Sequence, residues 1–189
     1  MKELQKKLRE NESILWQSGP KAFPLLEGRF KNKILGEWIV TLILAAWFLY
    51  MERGNPNFGT GMKILVLVVI VVVMVSPVAE LYNLKRQRYY LTDQRAIVLT
   101  ADNSLYYMDY EQIDNAIVID DVADSTCIAM GSAILDNVRK QLRWQACHPK
   151  IDLQEADKRG EALGLVFYVP EGAEQALKLM RGAGVTMVV

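Results

Sequence analysis

The single histidine of this 189-residue chain, His148, directly follows one of its two cysteines, Cys147. Thiolate and imidazole are both zinc ligands, so the pair is the first place to look for metal chemistry. No Cys-x-x-Cys pair accompanies it, and the other cysteine, Cys127, stands alone. A nucleophile with an orienting base is also missing, because His148 is the only imidazole. Gly19, Gly28, Gly59 and Gly61 do not open a helix after a strand, as a phosphate loop requires. These residues predict reduced, inert thiols, no metal, no cofactor and no enzyme activity. A Cys127–Cys147 disulfide becomes feasible only if this part of the chain faces an oxidising compartment.

Anion contact is the chemistry the sequence offers more openly. Lys85, Arg86 and Arg88 form a basic cluster, and Arg95 follows in the segment Thr92-Asp93-Gln94-Arg95. Guanidinium and ammonium groups suit phosphate-bearing headgroups. The same segment also reads as a locked hairpin turn, with Thr92 and Asp93 satisfying turn backbone groups. Arg95 then pairs with Asp93, Asp109 or Asp114, or contacts an anion or lipid headgroup.

The elements that position these groups begin with two apolar runs, 34–51 and 62–82, separated by a short loop containing Asn55-Pro56-Asn57. A bilayer core of about 30 Å needs roughly 20 apolar residues as helix, and only helices or closed barrels satisfy their backbone in lipid. The runs therefore predict a transmembrane helical hairpin. Trp38, Trp47, Tyr50 and Tyr82 are amphipathic rings suited to headgroup depth. Glu37 and Glu80 read as interfacial carboxylates, or less simply as an intramembrane acidic pair. Pro77, late in the second run, predicts a mild bend or an early exit.

Lys21, Arg29, Lys31 and Lys33 precede the first run, and Lys85, Arg86, Arg88 and Arg95 follow the second, against Arg53 and Lys63 around the loop. The positive-inside rule places both termini in the cytoplasm. Overall the charge is balanced, with 22 basic and 22 acidic side chains, which gives no general attraction to nucleic acid. The arm 1–33 is basic, whereas the region around Asp120, Asp121 and Asp124 is acidic.

After the runs the apolar pattern alternates. Strands are predicted at 88–92, 95–100, 105–109, 113–119 and 126–130, with an acidic turn at Asp120-Asp121 and a stop at Gly131. Residues 138–146 read as a further strand, and 165–169 as another. Pro170-Glu171 opens a helix over about 171–181, with Ala173, Ala176, Leu177 and Met180 on one face and Gly182 as its stop. The apolar tail from Val185 predicts an edge strand or a docking segment. In the arm, Leu4 and Leu8 share a helical face, and Ile14, Leu15 and Trp16 are strand-like. The reading divides the chain into an arm (1–33), a hairpin (34–83) and a mainly-β barrel with a C-terminal helix (84–189).

Three stretches carry a resemblance: Glu12-Ser-Ile-Leu-Trp-Gln-Ser-Gly-Pro, Tyr89-Tyr-Leu-Thr-Asp-Gln-Arg-Ala-Ile-Val, and Gly164-Leu-Val-Phe-Tyr-Val-Pro-Glu-Gly-Ala-Glu-Gln-Ala-Leu. In this order around a two-run hairpin, the chain resembles the bacterial pleckstrin-homology (PH)-like domain membrane proteins. Residues 136–164 depart from that pattern. The resemblance implies a bacterial inner-membrane protein whose PH-like barrel has seven strands in two near-orthogonal sheets, capped by a helix. It implies an interaction or scaffolding module without catalytic residues, not phosphoinositide binding. The expected function is accordingly a multi-pass membrane-anchored module with membrane lipid and a protein partner or second copy as partners. Anionic-lipid binding through Lys85, Arg86, Arg88 and Arg95 is the alternative, and a small subunit of a transport or membrane enzyme complex the third.

Overall fold

The computed structural model describes residues 7–26, 28–52, 59–122, 125–131, 138–149 and 164–188. Two units emerge: one joins the described residues up to Ala22 with those from Asn83 onward, and the other is Phe23–Tyr82.

The second unit is the hairpin. Helix α1 spans Gly28–Glu52 and α2 spans Thr60–Arg86, both longer than the predicted runs. Both are long and apolar enough to cross a membrane, and only 6% of each apolar window is buried inside the protein. A core helix of similar composition would be covered on most sides; Leu44, Trp47, Leu65 and Val72 are instead more than half exposed. An ion pair between Lys63 and Glu52 joins the start of α2 to the end of α1. Thr41 satisfies its hydroxyl inside the apolar helix by donating to the Glu37 carbonyl at 2.7 Å. Pro77 does not end α2, which runs on to Arg86; an early exit is not what occurs.

The first unit contains two four-stranded sheets. Strands β1 (Ile14–Ser18), β2 (Arg88–Thr92), β3 (Arg95–Leu99) and β4 (Leu105–Asp109) form the first, in the order β1-β2-β3-β4 and antiparallel throughout. Strands β5 (Asn115–Val122), β6 (Ser125–Met130), β7 (Leu165–Phe167) and β8 (Thr186–Val188) form the second, in the order β7-β6-β5-β8. There β8 pairs parallel to β5, so the apolar tail is an edge strand. Among the described residues each sheet keeps two edges and no closed barrel forms.

The sheets share one core. Trp16, Tyr89, Leu91 and Met108 from the first meet Ile128, Met130 and Phe167 from the second. Phe167 stacks on Tyr89 at 4.9 Å and on Trp16 at 5.9 Å. Helix α4 (Ala173–Gly182) adds Ala176 and Met180 to this core, with Ala173 and Leu177 packed beside them. The apolar face read from the sequence is therefore the buried one.

Three local readings need correction. Residues 138–146 are not a strand: helix α3 spans Val138–Cys147. It buries Leu142, Arg143 and Ala146, a spacing that follows the helical period rather than alternation. Asp120-Asp121 do not break β5, which continues to Val122 with a register irregularity after Ile119. The Thr126 hydroxyl donates to Asp120 at 2.9 Å across that pair. Finally, α4 begins at Ala173 because Gly172 takes a left-handed conformation (φ 70°). Gly131, with φ 98°, ends β6 as expected.

The chain after β1 is tied to the chain after β7. Lys21 N–H donates to the Val169 carbonyl at 2.8 Å and Glu171 N–H to the Gly19 carbonyl at 3.0 Å. Val169 sits at φ 47°, a costly place for a β-branched residue. Its own N–H donates to the Cys127 sulfur at 3.2 Å, so both its backbone groups are held.

Candidate functional site

Arg95 is the most constrained of the basic residues read from the sequence. It begins β3 and is only 4% exposed. Its partner is Glu12 of the arm, not Asp93, Asp109 or Asp114. Nε and Nη2 donate to the two Glu12 carboxylate oxygens, each at 2.8 Å, a bidentate pair. The Thr92 hydroxyl donates to Glu12 Oε1 at 2.8 Å and accepts from the Arg95 N–H at 2.9 Å. The Arg9 N–H completes the set at 2.7 Å from Oε2. Burial pushes the Glu12 carboxyl up, but the hydrogen bonds from Arg95, Arg9 and Thr92, with the Arg95 charge, outweigh it. The net position is below the ordinary carboxylate value.

Around this pair the arm covers the outer face of the first sheet. Leu8 packs against a cluster of Tyr90, Ile97 and Tyr107. The guanidinium of Arg95 lies 4.5 Å from the Tyr107 ring centre and that of Arg9 5.3 Å. Asp109 binds Arg9 at 2.8 Å, which raises the Arg9 pKa through hydrogen bonding above the opposing effect of burial. Asp93 accepts from the Ser13 N–H and hydroxyl at 3.0 and 3.1 Å. Thr92 locks the turn as expected, accepting from the Gln94 and Arg95 N–H groups, whereas the Asp93 carboxylate goes to Ser13 of the arm and not to the turn backbone. Arg95 offers almost no surface to an outside anion.

Lys85 and Arg86 occupy the exposed last turn of α2, and exposed Arg88 opens β2. Gln87 between them is buried, with its amide donating to the Ala146 carbonyl at 2.5 Å and its oxygen accepting from Tyr89 at 3.0 Å. Tyr89 is fully buried, which pushes its phenol pKa upward. This polar chain fixes the start of β2 against α3 and the chain after β7. Arg88 lines a recess of about 340 Å³ with Gln17, Ser18, Gly19 and Tyr90.

Cys147 and His148 line a second recess, of about 360 Å³, with Asn83, Gln87, Thr100, Asp102 and Tyr106. The His148 ring stacks on Trp144 at 5.1 Å, and its Nδ1 lies 2.9 Å from the Trp144 carbonyl. Hydrogen bonds from Thr100 and then Ser104 hold Asp102 below the usual carboxylate range. Among the described residues, no group of three or more His, Cys, Asp or Glu is placed to hold a metal ion. Cys127 is buried and Cys147 half-buried, and no disulfide joins them.

On the hairpin, Trp47, Tyr50 and Tyr82 are exposed and Trp38 is half-buried. Glu37 lies 4.0 Å from Lys33 one helical turn away. The sequence does not announce Glu12, Gln87 or Gly19 as members of these sites; the first appears only within the arm motif. No family model, curated protein or solved structure matches the chain.

Proposed function

We propose that the chain is a membrane-anchored, non-enzymatic interaction module, with the hairpin as anchor and the two-sheet unit as the binding part. The observation that carries this is the pair of exposed apolar helices, the second running unbroken through Lys85 and Arg86 to the start of the sheets. Exposed apolar surface on that scale needs lipid or protein around it. The basic residues at the outer ends of the hairpin favour a cytoplasmic sheet unit and cytoplasmic termini. The likeness to bacterial PH-like membrane proteins favours an inner-membrane setting and a barrel-like use of the two sheets, with edges open to an added strand.

The test is extraction and capture. With a C-terminal tag on the full chain, the protein stays in the membrane pellet after an alkaline carbonate wash and enters mild detergent. Native mass measurement then finds it in a stoichiometric complex with another protein or a second copy. Release by carbonate would refute the anchor; a persistent monomer would refute the interaction reading.

A second reading, anionic-lipid binding, is favoured by the exposed cluster of Lys85, Arg86 and Arg88. Such residues gain about 1 kcal/mol each near anionic lipid. It predicts tighter association of the full chain with anionic than with neutral lipid in mixed micelles.

A further inference from the structure

The recess at the junction of β1 and β2 has a more specific construction than a basic collar requires. Its one charged lining residue is Arg88, whose Nη1 donates to the Gln87 carbonyl at 2.9 Å. That bond anchors one end of the guanidinium. A Cβ at Gly19 would stand 2.9 Å from the same Nη1, a contact that the flexible end of Arg88 relieves by a small shift. Among the described residues no carboxylate pairs with Arg88, and the rest of its planar fork is left for an acceptor from outside. Gln17 lines the same space, and Lys85 and Arg86 add positive charge from the preceding turn. Ser18 is committed elsewhere, with its hydroxyl 2.8 Å from the Glu171 carbonyl.

We propose that this recess binds a phosphate-bearing anion, with Arg88 as its bidentate donor. A planar fork matches two phosphate oxygens, which a flexible lysine does not. The anion is a phospholipid headgroup or a free phosphate; the first source rests on the membrane reading above, the second does not.

The experiment uses full-length protein in neutral detergent micelles. Short-chain phosphatidic acid and inorganic phosphate are titrated separately, and binding is read by native mass spectrometry and phosphorus NMR. Arg88→Lys keeps the net charge but removes the fork, and weakens binding by about tenfold, the size expected for a lost charge-assisted hydrogen bond. Lys85→Gln removes a charge outside the recess and weakens binding by no more than about fivefold. Binding of phosphatidic acid without inorganic phosphate assigns the site to a headgroup; equal, variant-sensitive binding of both assigns it to phosphate itself. Wild-type affinity in Arg88→Lys would overturn the proposal, as would failure of the parent protein to bind either probe. Retention in carbonate-washed membranes is scored in parallel, so a failed recess and a failed anchor are told apart.

Discussion

The first sheet takes its edge strand from residues 14–18 and its other three from 88–109, whereas the second is built wholly from residues after 114. Their inner faces are alike, apolar and shared in one core. Their fastenings differ. The outer face of the first sheet is covered by the arm, which is pinned through Glu12, Thr92 and Arg95. The second is held at β6 and β7 by buried apolar side chains such as Ile128, Met130 and Phe167. Directional, charged contacts select one arm conformation and leave a penalty when one partner is lost; apolar packing degrades with the volume removed.

The largest expected effect breaks the charged fastening. Glu12→Ala leaves Arg95 buried without its carboxylate and costs about 3–5 kcal/mol in denaturant unfolding. Replacing both partners together, Glu12→Leu with Arg95→Met, recovers a substantial part of that loss, because no stranded charge remains. Met130→Ala, in the second sheet, costs about 2–5 kcal/mol through the cavity it leaves, and no apolar partner change of comparable simplicity restores it.

The comparison sharpens with pH. Glu12 is held below its ordinary 4.5 in the folded protein, so its contribution is complete above that value. It is lost as pH falls through the folded-state value. Acid titration of stability therefore flattens in Glu12→Gln, while Met130→Ala keeps the parent profile at a lower level. At the alkaline end Tyr110 behaves oppositely. Burial pushes its phenol up to about 12, and its hydroxyl donates to the Thr92 carbonyl at 2.8 Å. Its contribution is full below the unfolded value of 10.0 and disappears as pH rises towards about 12. Tyr110→Phe, the smallest effect, costs about 1 kcal/mol near neutrality and removes that part of the alkaline loss.

The sequence made local order legible and distant pairing illegible. Alternation marked β2, β3, β4 and β6 because each has one face in the shared core. Unbroken apolar runs marked α1 and α2. In the 138–147 segment Leu142, Trp144 and Ala146 alternate, which suggests a strand, but Val138, Leu142 and Ala146 also recur at the helical interval, and that is the period the structure follows. Asp120 and Asp121 resembled a turn because the irregular pairing of β5 with β6 leaves no signature in composition. The Thr92–Arg95 turn was legible, but not its partner. Glu12 lies 83 residues away from Arg95, and nothing local distinguishes it from the other acidic residues of the arm.

Ser18 is the last residue of β1 and Tyr89 its neighbour in β2, yet the whole hairpin is threaded between them. During synthesis the arm emerges first and waits, unpaired, until both apolar helices and the start of β2 have followed. The β2-β3-β4 meander closes through short turns, whereas β1 must close a loop containing the hairpin, which costs more chain entropy. Addition of β1 is thus the late step in assembling the first sheet, and Glu12 meets Arg95 only then. The Glu12–Arg95 pair therefore forms only once both helices and β2 have been made.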